Sequence, residues 1–139
     1  MKKRTRAGAV CVVDRHLLAI ELKDPATNEK FWSVPGGEIE HGESPAQAAE
    51  RETMEETGYQ VSVREDSAWV NHYQFNWNAR LYECETYWFL ATVKAVPLAA
   101  VTDADYLLRT RWIHLDRLEE MFNYHPAILD ALKRLTAGL

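Results

Sequence analysis

Residues 37–59 read GEIEHGESPAQAAERETMEETGY, and this stretch marks both ends of a helix. Ser44 stands where an N-cap is expected and Gln47 follows three residues later, which is the spacing of a capping box, while a proline occupies the first helical position. Gly58 is suited to the left-handed conformation that ends many helices. The pattern therefore predicts a helix over about 45–57.

Three glutamates, Glu52, Glu55 and Glu56, crowd one patch near the end of this helix. At ~100° per residue their side chains fall within an arc of ~100°, so the carboxylates converge. Like charges at this spacing repel one another, and acidic groups in the last turns oppose the helix dipole. The patch is either a solvated acidic face or a site for a hard dication such as Mg²⁺ or Mn²⁺.

The residues around the acidic patch decide between these interpretations. They fit the pattern G-x5-E-x7-R-E-U-x-E-E-x-G-U, in which U is usually a bulky apolar residue. The seven fixed positions are Gly37, Glu43, Arg51, Glu52, Glu55, Glu56 and Gly58. At roughly 6% usage per residue type, a chance match in such a chain has a probability on the order of 10⁻⁶ or less. The pattern resembles the signature of the Nudix hydrolase family, as does the preceding WSVPGG, although Thr53 and Tyr59 depart mildly from the usual U residues.

Segments of alternating or β-branched residues predict strands on both sides of the helix, separated by turn residues. The predicted strands cover residues 5–13, 17–20, 31–34, 59–63, 69–77, 81–93 and 109–114. Helical periodicity predicts a C-terminal helix over about 126–136. The expected fold class is α+β, a mixed β-sheet sandwich flanked by the two helices, and the resemblance implies the Nudix fold. The chain length fits a single domain over residues 1–139.

The resemblance implies a loop–helix–loop that holds Mg²⁺, with Mn²⁺ as a substitute, against a diphosphate. By position in the motif, Glu55 and Glu56 correspond to direct metal ligands, and Glu52 to a ligand or to the base that deprotonates water. The carbonyl of Gly37 or Gly36 corresponds to a further ligand. Whether Glu52 or Glu55 is the catalytic base stays open at this point.

Glu43 and Arg51 resemble the family's structural ion pair. This role also has a physical basis, because Arg51 lies beside the acidic arc and its planar guanidinium suits a bidentate carboxylate. We therefore expect Arg51 to support the site rather than to contact the substrate.

Members of the family often recruit another acid from outside the motif. Asp105 and the neighbouring Asp103 precede a predicted strand at a similar place, and an ordinary polar loop is the alternative. Glu83 and Glu85 are rival candidates. The candidate cations for phosphate are Arg6, Lys23, Arg80 and Arg109. Each is also expected as an ordinary surface charge, and Arg80 is retained as a substrate contact.

Five tryptophans and six tyrosines supply many rings on which a nucleobase could stack. Trp32, Tyr73 and Trp77 are the preferred substrate contacts because they lie next to predicted loops, with core packing as the alternative for each. Tyr124 is similar in location to a base-reading position of MutT-like relatives. That position lacks an asparagine, so specificity for oxidised guanine is not supported.

The charge balance limits the classes of partner. Lysine and arginine total 16 against 21 aspartate and glutamate, and the resulting net charge of −5 argues against a general duplex-binding protein. Residues 1–4 are expected to be a solvated terminus. The apolar stretches stay below the ~18 residues of a membrane helix, and the start lacks a signal-peptide core, so a cytoplasmic protein without a membrane partner is expected. Cys11 and Cys84 are expected to be reduced core residues.

These observations predict a metal-dependent pyrophosphohydrolase in which water attacks a phosphorus atom of a nucleoside diphosphate-linked compound. A nucleoside or deoxynucleoside triphosphate is the first choice of substrate. One alternative is a Nudix-fold module that binds or senses a nucleotide without hydrolysis, although such modules tend to lose acids that this chain keeps. Another is an RNA 5′-end pyrophosphohydrolase, which the acidic balance discourages. The expected partner is a small-molecule nucleotide, and a homodimer is one option for the assembly.

Overall fold

Eight strands and three helices form the described part of the chain, residues 1–95 and 104–139 of a computed structural model. The strands are β1 (Lys2–Val13), β2 (His16–Lys23), β3 (Lys30–Ser33), β4 (Gly36–Glu38), β5 (Gln60–Val63), β6 (Trp69–Trp77), β7 (Arg80–Ala95) and β8 (Leu107–His114). The helices are α1 (Pro45–Thr57), α2 (Leu118–Met121) and α3 (Pro126–Thr136). The predicted bounds of the two long helices are confirmed, whereas β4 and α2 are additions.

The strands form a mixed sheet in the order β3-β2-β1-β7-β5, with β4 beside β1, β6 beside β7 and β8 beside β2. β1 runs parallel to β7, from Lys2 opposite Tyr82 to Cys11 opposite Ala91, and the other pairings are antiparallel. The predicted α+β class, with a mixed sheet and two flanking helices, is confirmed.

β1 begins earlier than its sequence pattern predicted. We expected a solvated terminus over residues 1–4, but the strand pairs with β7 from Lys2 onward. Side chains alternate along this segment, because Arg4 and Arg6 are half-buried while Thr5 between them is exposed. Alternation places the two arginines on the same face of the sheet.

Helix α1 packs on the sheet through small residues. Ala48, Ala49 and Thr53 are fully buried there, so the helix backbone lies close to the strands. Thr53 satisfies its hydroxyl within the helix by donating to the carbonyl of Ala49 at 2.7 Å. The small residues allow close packing of the helix on the sheet, and this packing holds its acidic end near the strands. α3 packs on a separate cluster of apolar residues that includes Phe122 and Leu132.

Two further expectations concern the cysteines and the membrane. Cys11 and Cys84 are both buried and free, so their prediction as reduced core residues is confirmed. In the part of the chain that the structure describes, every helix is too short or too polar to cross a membrane.

Candidate active site

Local contacts fix both ends of α1. The Ser44 hydroxyl accepts a hydrogen bond from the Gln47 backbone at 3.1 Å, and the Gln47 side chain accepts one from the Ser44 backbone at 2.9 Å. Gly58 ends the helix with φ of 78°, and its N–H donates to the carbonyl of Met54. Because both ends are defined, the three acids occupy fixed positions in the last two turns.

Arg51 links the carboxylates around it. Its guanidinium donates two hydrogen bonds to Glu43, at 2.7 and 3.1 Å, and holds the pKa of that carboxyl below its usual range. Its Nη1 donates to Glu52 at 2.9 Å and to Glu55 at 3.2 Å, while Nη2 reaches the carbonyl of Glu38. Glu43 therefore anchors Arg51, and Arg51 in turn orients two of the three acids on the helix.

Glu56 is the most buried of the three acids, with 8% of its surface exposed. Its Oε1 accepts a hydrogen bond from the Gly36 backbone at 2.9 Å. Burial raises the pKa of Glu56 to about 8, and the charge of Glu52 acts in the same direction. Burial also raises the pKa of Glu52, although the hydrogen bond from Arg51 opposes the shift. The protein thus buries acidic groups against the preference of their charged forms.

Gly36 and Gly37 allow β4 to lie close to β1 and to α1. A Cβ atom at Gly37 would lie 2.5 Å from Cδ of Glu52, and one at Gly36 would lie 2.5 Å from the carbonyl oxygen of Ala7. Both distances are far shorter than any van der Waals contact, so neither position tolerates a side chain without movement. The backbone of β4 therefore lies directly against the acidic patch.

The three acids on the helix face different partners. Across residues 1–95 and 104–139, no three His, Cys, Asp or Glu side chains are spaced to hold a metal ion. The reason is visible in their partners, since Glu56 faces the Gly36 N–H while Glu52 and Glu55 face Arg51. Glu55 is the most exposed of the three, at 37% of its side chain, and is the freest to change rotamer. The metal ligands stay a prediction at this stage.

A cavity of about 270 Å³ opens next to the acidic patch. Glu52, Glu56 and the two glycines of β4 form part of its lining, and aromatic residues form another part. This combination of a few polar groups with apolar walls is typical of ligand sites.

Two arginines of β1 also line the cavity. Arg4 lies over the ring of Tyr82, with Cζ 3.7 Å from the ring centroid. Its Nε is 3.1 Å from a carboxylate oxygen of Glu38, yet the N–H is poorly aligned and finds no hydrogen-bond partner among the described residues. The charge of Arg6 opposes the rise in pKa of Glu52 and Glu56, so Arg6 lies within electrostatic reach of the acids.

The aromatic part of the cavity lining is built from three different parts of the chain. Trp77 meets Tyr106 edge to face at 5.5 Å, and Phe31 stacks on Tyr124 at 4.0 Å with the planes 9° apart. Burial, and then the charges of Glu56 and Glu52, raise the pKa of Tyr106, so this ring lies within reach of the acids. Tyr124 does not line the cavity itself but supports Phe31, which does.

The candidate acids outside the helix do not meet the acidic patch in this structure. Asp105 is exposed in the turn before β8 and is not part of the cavity lining, although Tyr106 beside it is. Glu83 and Glu85 alternate along β7 with the residues that line the cavity, so their side chains face away, and Glu85 pairs with His72 at 2.8 Å. Asp103 lies outside the described residues.

Three of the predicted substrate contacts are also placed elsewhere. Trp32 lies between Phe31 and Ser33, which both line the cavity, so strand alternation turns it to the other face. Tyr73 belongs to the core, with 8% exposure and its hydroxyl 2.9 Å from that of Thr86. Arg80 is exposed at the hairpin turn, outside the cavity lining. Among the preferred aromatic contacts, Trp77 alone lines the cavity.

Comparison with known proteins places the chain among its relatives. The sequence pattern that describes the NUDIX domain matches residues 2–135. An RNA pyrophosphohydrolase of Brucella ovis is 42% identical over 69 residues, which cover 48% of this chain and 38% of that protein. The matched segment is thus less than half the length of that relative. A NUDIX hydrolase structure from Nitrosomonas europaea has a TM-score of 0.69 at 24% identity, covering 99% of this chain and 90% of the other. A C. elegans Ap4A hydrolase structure has a TM-score of 0.68 at 20% identity, covering 98% and 99%.

Proposed function

The chain belongs to the Nudix family, and on that premise we propose that it is a metal-dependent pyrophosphohydrolase. The proposed substrate is a nucleoside diphosphate-linked compound, in first place a nucleoside or deoxynucleoside triphosphate. The observation that carries the proposal is a single cavity that holds one buried and one half-buried carboxylate, two arginines and several aromatic rings. Such a cavity suits a ligand with phosphates at one end and a flat base at the other.

The proposed cofactor is Mg²⁺, with Mn²⁺ as a substitute, held by Glu52, Glu55, Glu56 and the carbonyl of Gly37. The donor set fits because these ions prefer hard oxygen ligands, and the missing side chain at Gly37 leaves space for the Glu52 carboxylate. Asp105 is left out because its side chain is exposed outside the cavity lining. When bound, the ion would neutralise phosphate oxygens and lower the pKa of water towards neutrality.

Glu52 or Glu55 would accept the proton that the attacking water loses. The water oxygen forms a bond to phosphorus, the anhydride P–O bond breaks, and the leaving phosphate keeps the electron pair. Arg51 holds both candidate bases, at 2.9 and 3.2 Å, and is itself held by Glu43. The proposed role of the Glu43–Arg51 pair is therefore to position the base without contacting the substrate.

Arg4 and Arg6 would bind the phosphate groups that lie beyond the reacting one. Both line the cavity that contains the acids, on the same face of β1. The Nε–H of Arg4 makes no aligned hydrogen bond, so a phosphate oxygen would take the place of the Glu38 carboxylate that lies 3.1 Å away. Charge-assisted hydrogen bonds of this kind are among the stronger ones. A chain with a net charge of −5 needs such local cations to attract a polyanionic substrate.

The base would stack against a cluster of aromatic side chains. Trp77 meets both Tyr106 and Phe31 edge to face, at 5.5 and 6.1 Å, and Tyr124 supports Phe31 from outside the cavity lining. Stacking of a base on an aromatic ring contributes about 1–3 kcal/mol and accepts every base. We therefore expect the phosphate chain to matter more than base identity for turnover.

An RNA 5′-end pyrophosphohydrolase is the second candidate. It would use the same chemistry on a polymer, and the name of the Brucella ovis relative, which matches nearly half of this chain, favours it. A triphosphate at the end of an RNA presents the same phosphates to the acids and arginines as a free nucleotide does. The two candidate substrates differ only in that an RNA continues out of the cavity, whereas a free nucleotide ends there.

A substrate panel tests the proposal. Purified protein would be assayed with Mg²⁺ against nucleoside triphosphates, nucleotide sugars, dinucleoside polyphosphates and 5′-triphosphorylated RNA, with the phosphate products identified. We expect turnover that disappears with EDTA and returns with Mg²⁺ or Mn²⁺. Tight nucleotide binding without turnover on any of these would replace the hydrolase proposal with the non-hydrolytic binding module.

A further inference from the structure

One face of the sheet formed by β3, β2 and β8 gathers positive charge around a tryptophan. In an antiparallel pair, residues directly opposite each other carry their side chains on the same face. The pairs that define this face are Lys23 with Lys30, Glu21 with Trp32, Glu21 with Arg109, and Ala19 with Arg111. The guanidinium carbons of Arg109 and Arg111 lie 5.8 and 6.0 Å from the centre of the Trp32 ring. We call Lys23, Lys30, Trp32, Arg109 and Arg111 the basic face.

The charges on the basic face are poorly compensated for a chain that carries a net charge of −5. Glu21 is buried there and pairs with Arg109 at 2.8 Å, and Glu29 lies in the loop next to Lys30. Within the described ranges, Lys23, Lys30 and Arg111 form no ion pair. Lys30 and Arg111 are exposed and thus accessible to a partner.

The arrangement works against the stability of the sheet. Lys23 and Lys30 are directly opposite each other, and like charges in that position are destabilising. An edge strand often carries lysine to prevent aggregation, which accounts for Lys30. Trp32 is half-buried and packs against the apolar core, so the exposed part of its ring and the two arginines beside it are what a partner would meet. A polyanion with flat rings would relieve the repulsion and use the aromatic surface at the same time.

We propose that the basic face binds a single-stranded nucleic acid whose 5′ phosphates occupy the cavity. The proposal rests on the proposed function, because it names the polymer to which the reacting phosphates are attached. Phe31 and Ser33 of the edge strand β3 line the cavity, while Trp32 between them belongs to the basic face. A nucleic acid that leaves the cavity across β3 therefore reaches Trp32 and the cations of the basic face after crossing a single β-strand. Phosphates would contact the cations, and a base would stack on Trp32.

The test measures binding separately from hydrolysis. A 12-nucleotide single-stranded RNA with a 5′ hydroxyl and a 3′ fluorescein label would be titrated with wild-type protein in EDTA, and anisotropy followed at several salt concentrations. We expect measurable affinity at low salt that falls as salt rises, because bound phosphates release counterions. The variant Lys30→Gln with Arg111→Gln should bind at least tenfold more weakly, with a salt slope reduced by about 1.4.

The matched control removes two charges elsewhere. Arg64→Gln with Lys94→Gln makes the same change in net charge at two exposed positions, one directly after β5, where Arg64 lies 3.5 Å from Asp66, and one on β7. This control should bind the RNA as the wild type does. Equal RNA affinity in the control and the Lys30/Arg111 variant, no RNA binding by wild type, or preference for anionic lipid vesicles over RNA would each overturn the proposal.

Hydrolysis of a free nucleoside triphosphate distinguishes this proposal from the one on which it rests. The Lys30/Arg111 variant should keep the wild-type kcat/KM on the free nucleotide and lose activity only on 5′-triphosphorylated RNA. If the wild-type protein hydrolyses nucleotides normally but does not bind RNA, the proposed role of the basic face is overturned and the proposed function is not. RNA binding without hydrolysis of any substrate would support the basic face and overturn the proposed function.

Discussion

Replacing Glu56 by Gln should stabilise the metal-free protein and inactivate it. The wild-type carboxyl is buried, and its pKa of about 8 means that the folded state prefers the protonated form. Glutamine is nearly isosteric and keeps an oxygen that can accept from the Gly36 N–H, now at 2.9 Å. The variant therefore removes the cost of ionisation while it preserves the local contacts.

The size of the effect follows from the two pKa values. The reference value is 4.5, and each unit of difference corresponds to about 1.4 kcal/mol. Since the folded-state pKa of Glu56 is the higher one, the wild type loses stability as the pH rises from the unfolded value through about 8. The penalty is about 1 kcal/mol at pH 5, about 3 kcal/mol at pH 7 and about 5 kcal/mol at pH 9.

Urea denaturation in EDTA, followed by tryptophan fluorescence at pH 5, 7 and 9, measures this difference. The free energy of unfolding of Glu56→Gln should exceed that of the wild type by an amount that grows with pH. Glu50→Gln is the matched control, because Glu50 is on the same helix and its carboxylate accepts from the Val63 N–H at 3.0 Å, outside the cavity lining. The control separates the loss of any carboxylate on this helix from the loss of the buried one that lines the cavity.

Turnover gives the second readout on the same variant. A lost carboxylate ligand removes several kcal/mol of charge stabilisation, so we expect kcat to fall on the order of 10³-fold in Mg²⁺. A stability difference that stays constant from pH 5 to 9 would refute the reasoning about burial. Near-normal turnover would refute the metal role of Glu56.

Three further variants probe the support of the site. Glu43→Gln removes the charged acceptor of Arg51. It should lower the free energy of unfolding, measured by urea denaturation at pH 7, by about 2 kcal/mol and should lower kcat about tenfold. An unchanged kcat would exclude a positioning role for Glu43. Gly37→Ala pushes the flexible carboxylate of Glu52 away, so kcat should fall at least tenfold. The free energy of unfolding should change by less than about 1 kcal/mol. A variant that fails to fold would contradict this expectation. Trp77→Ala should raise KM for a nucleoside triphosphate about tenfold, with a smaller effect on inorganic triphosphate, and equal effects on both would exclude base stacking.

Features with local causes could be predicted from the sequence. The capping box and Gly58 define α1 through contacts within a few residues, which is why its bounds were predicted as Pro45–Thr57. β4 was missed because it is three residues long and begins with two glycines, so it has neither periodicity nor β-branched residues. The charged start of β1 was taken for a solvated terminus because its pairing partner, β7, is distant in sequence.

The cavity was harder to predict because it assembles residues from several strands. Trp32 and Phe31 are adjacent and equally aromatic, and only the register of β3 decides which one lines the cavity. Tyr106 lies outside the predicted strands, and it was not among the predicted contacts. Arg4 could have been found, since Arg4 and Arg6 have the spacing of neighbours on one face of a strand.

The parallel pairing of β1 with β7 has a consequence for biosynthesis. β1 leaves the ribosome long before β7 has been translated, so until then it can pair only with β2 and β4. α1 is stabilised by contacts within its own segment and can form during that interval. A nascent chain arrested before residue 80 would thus carry the acidic helix and a β1 strand that can pair with β4 at Arg6, while Arg4 still lacks its β7 neighbour. The pocket is complete only when β7 supplies Tyr82 and Cys84.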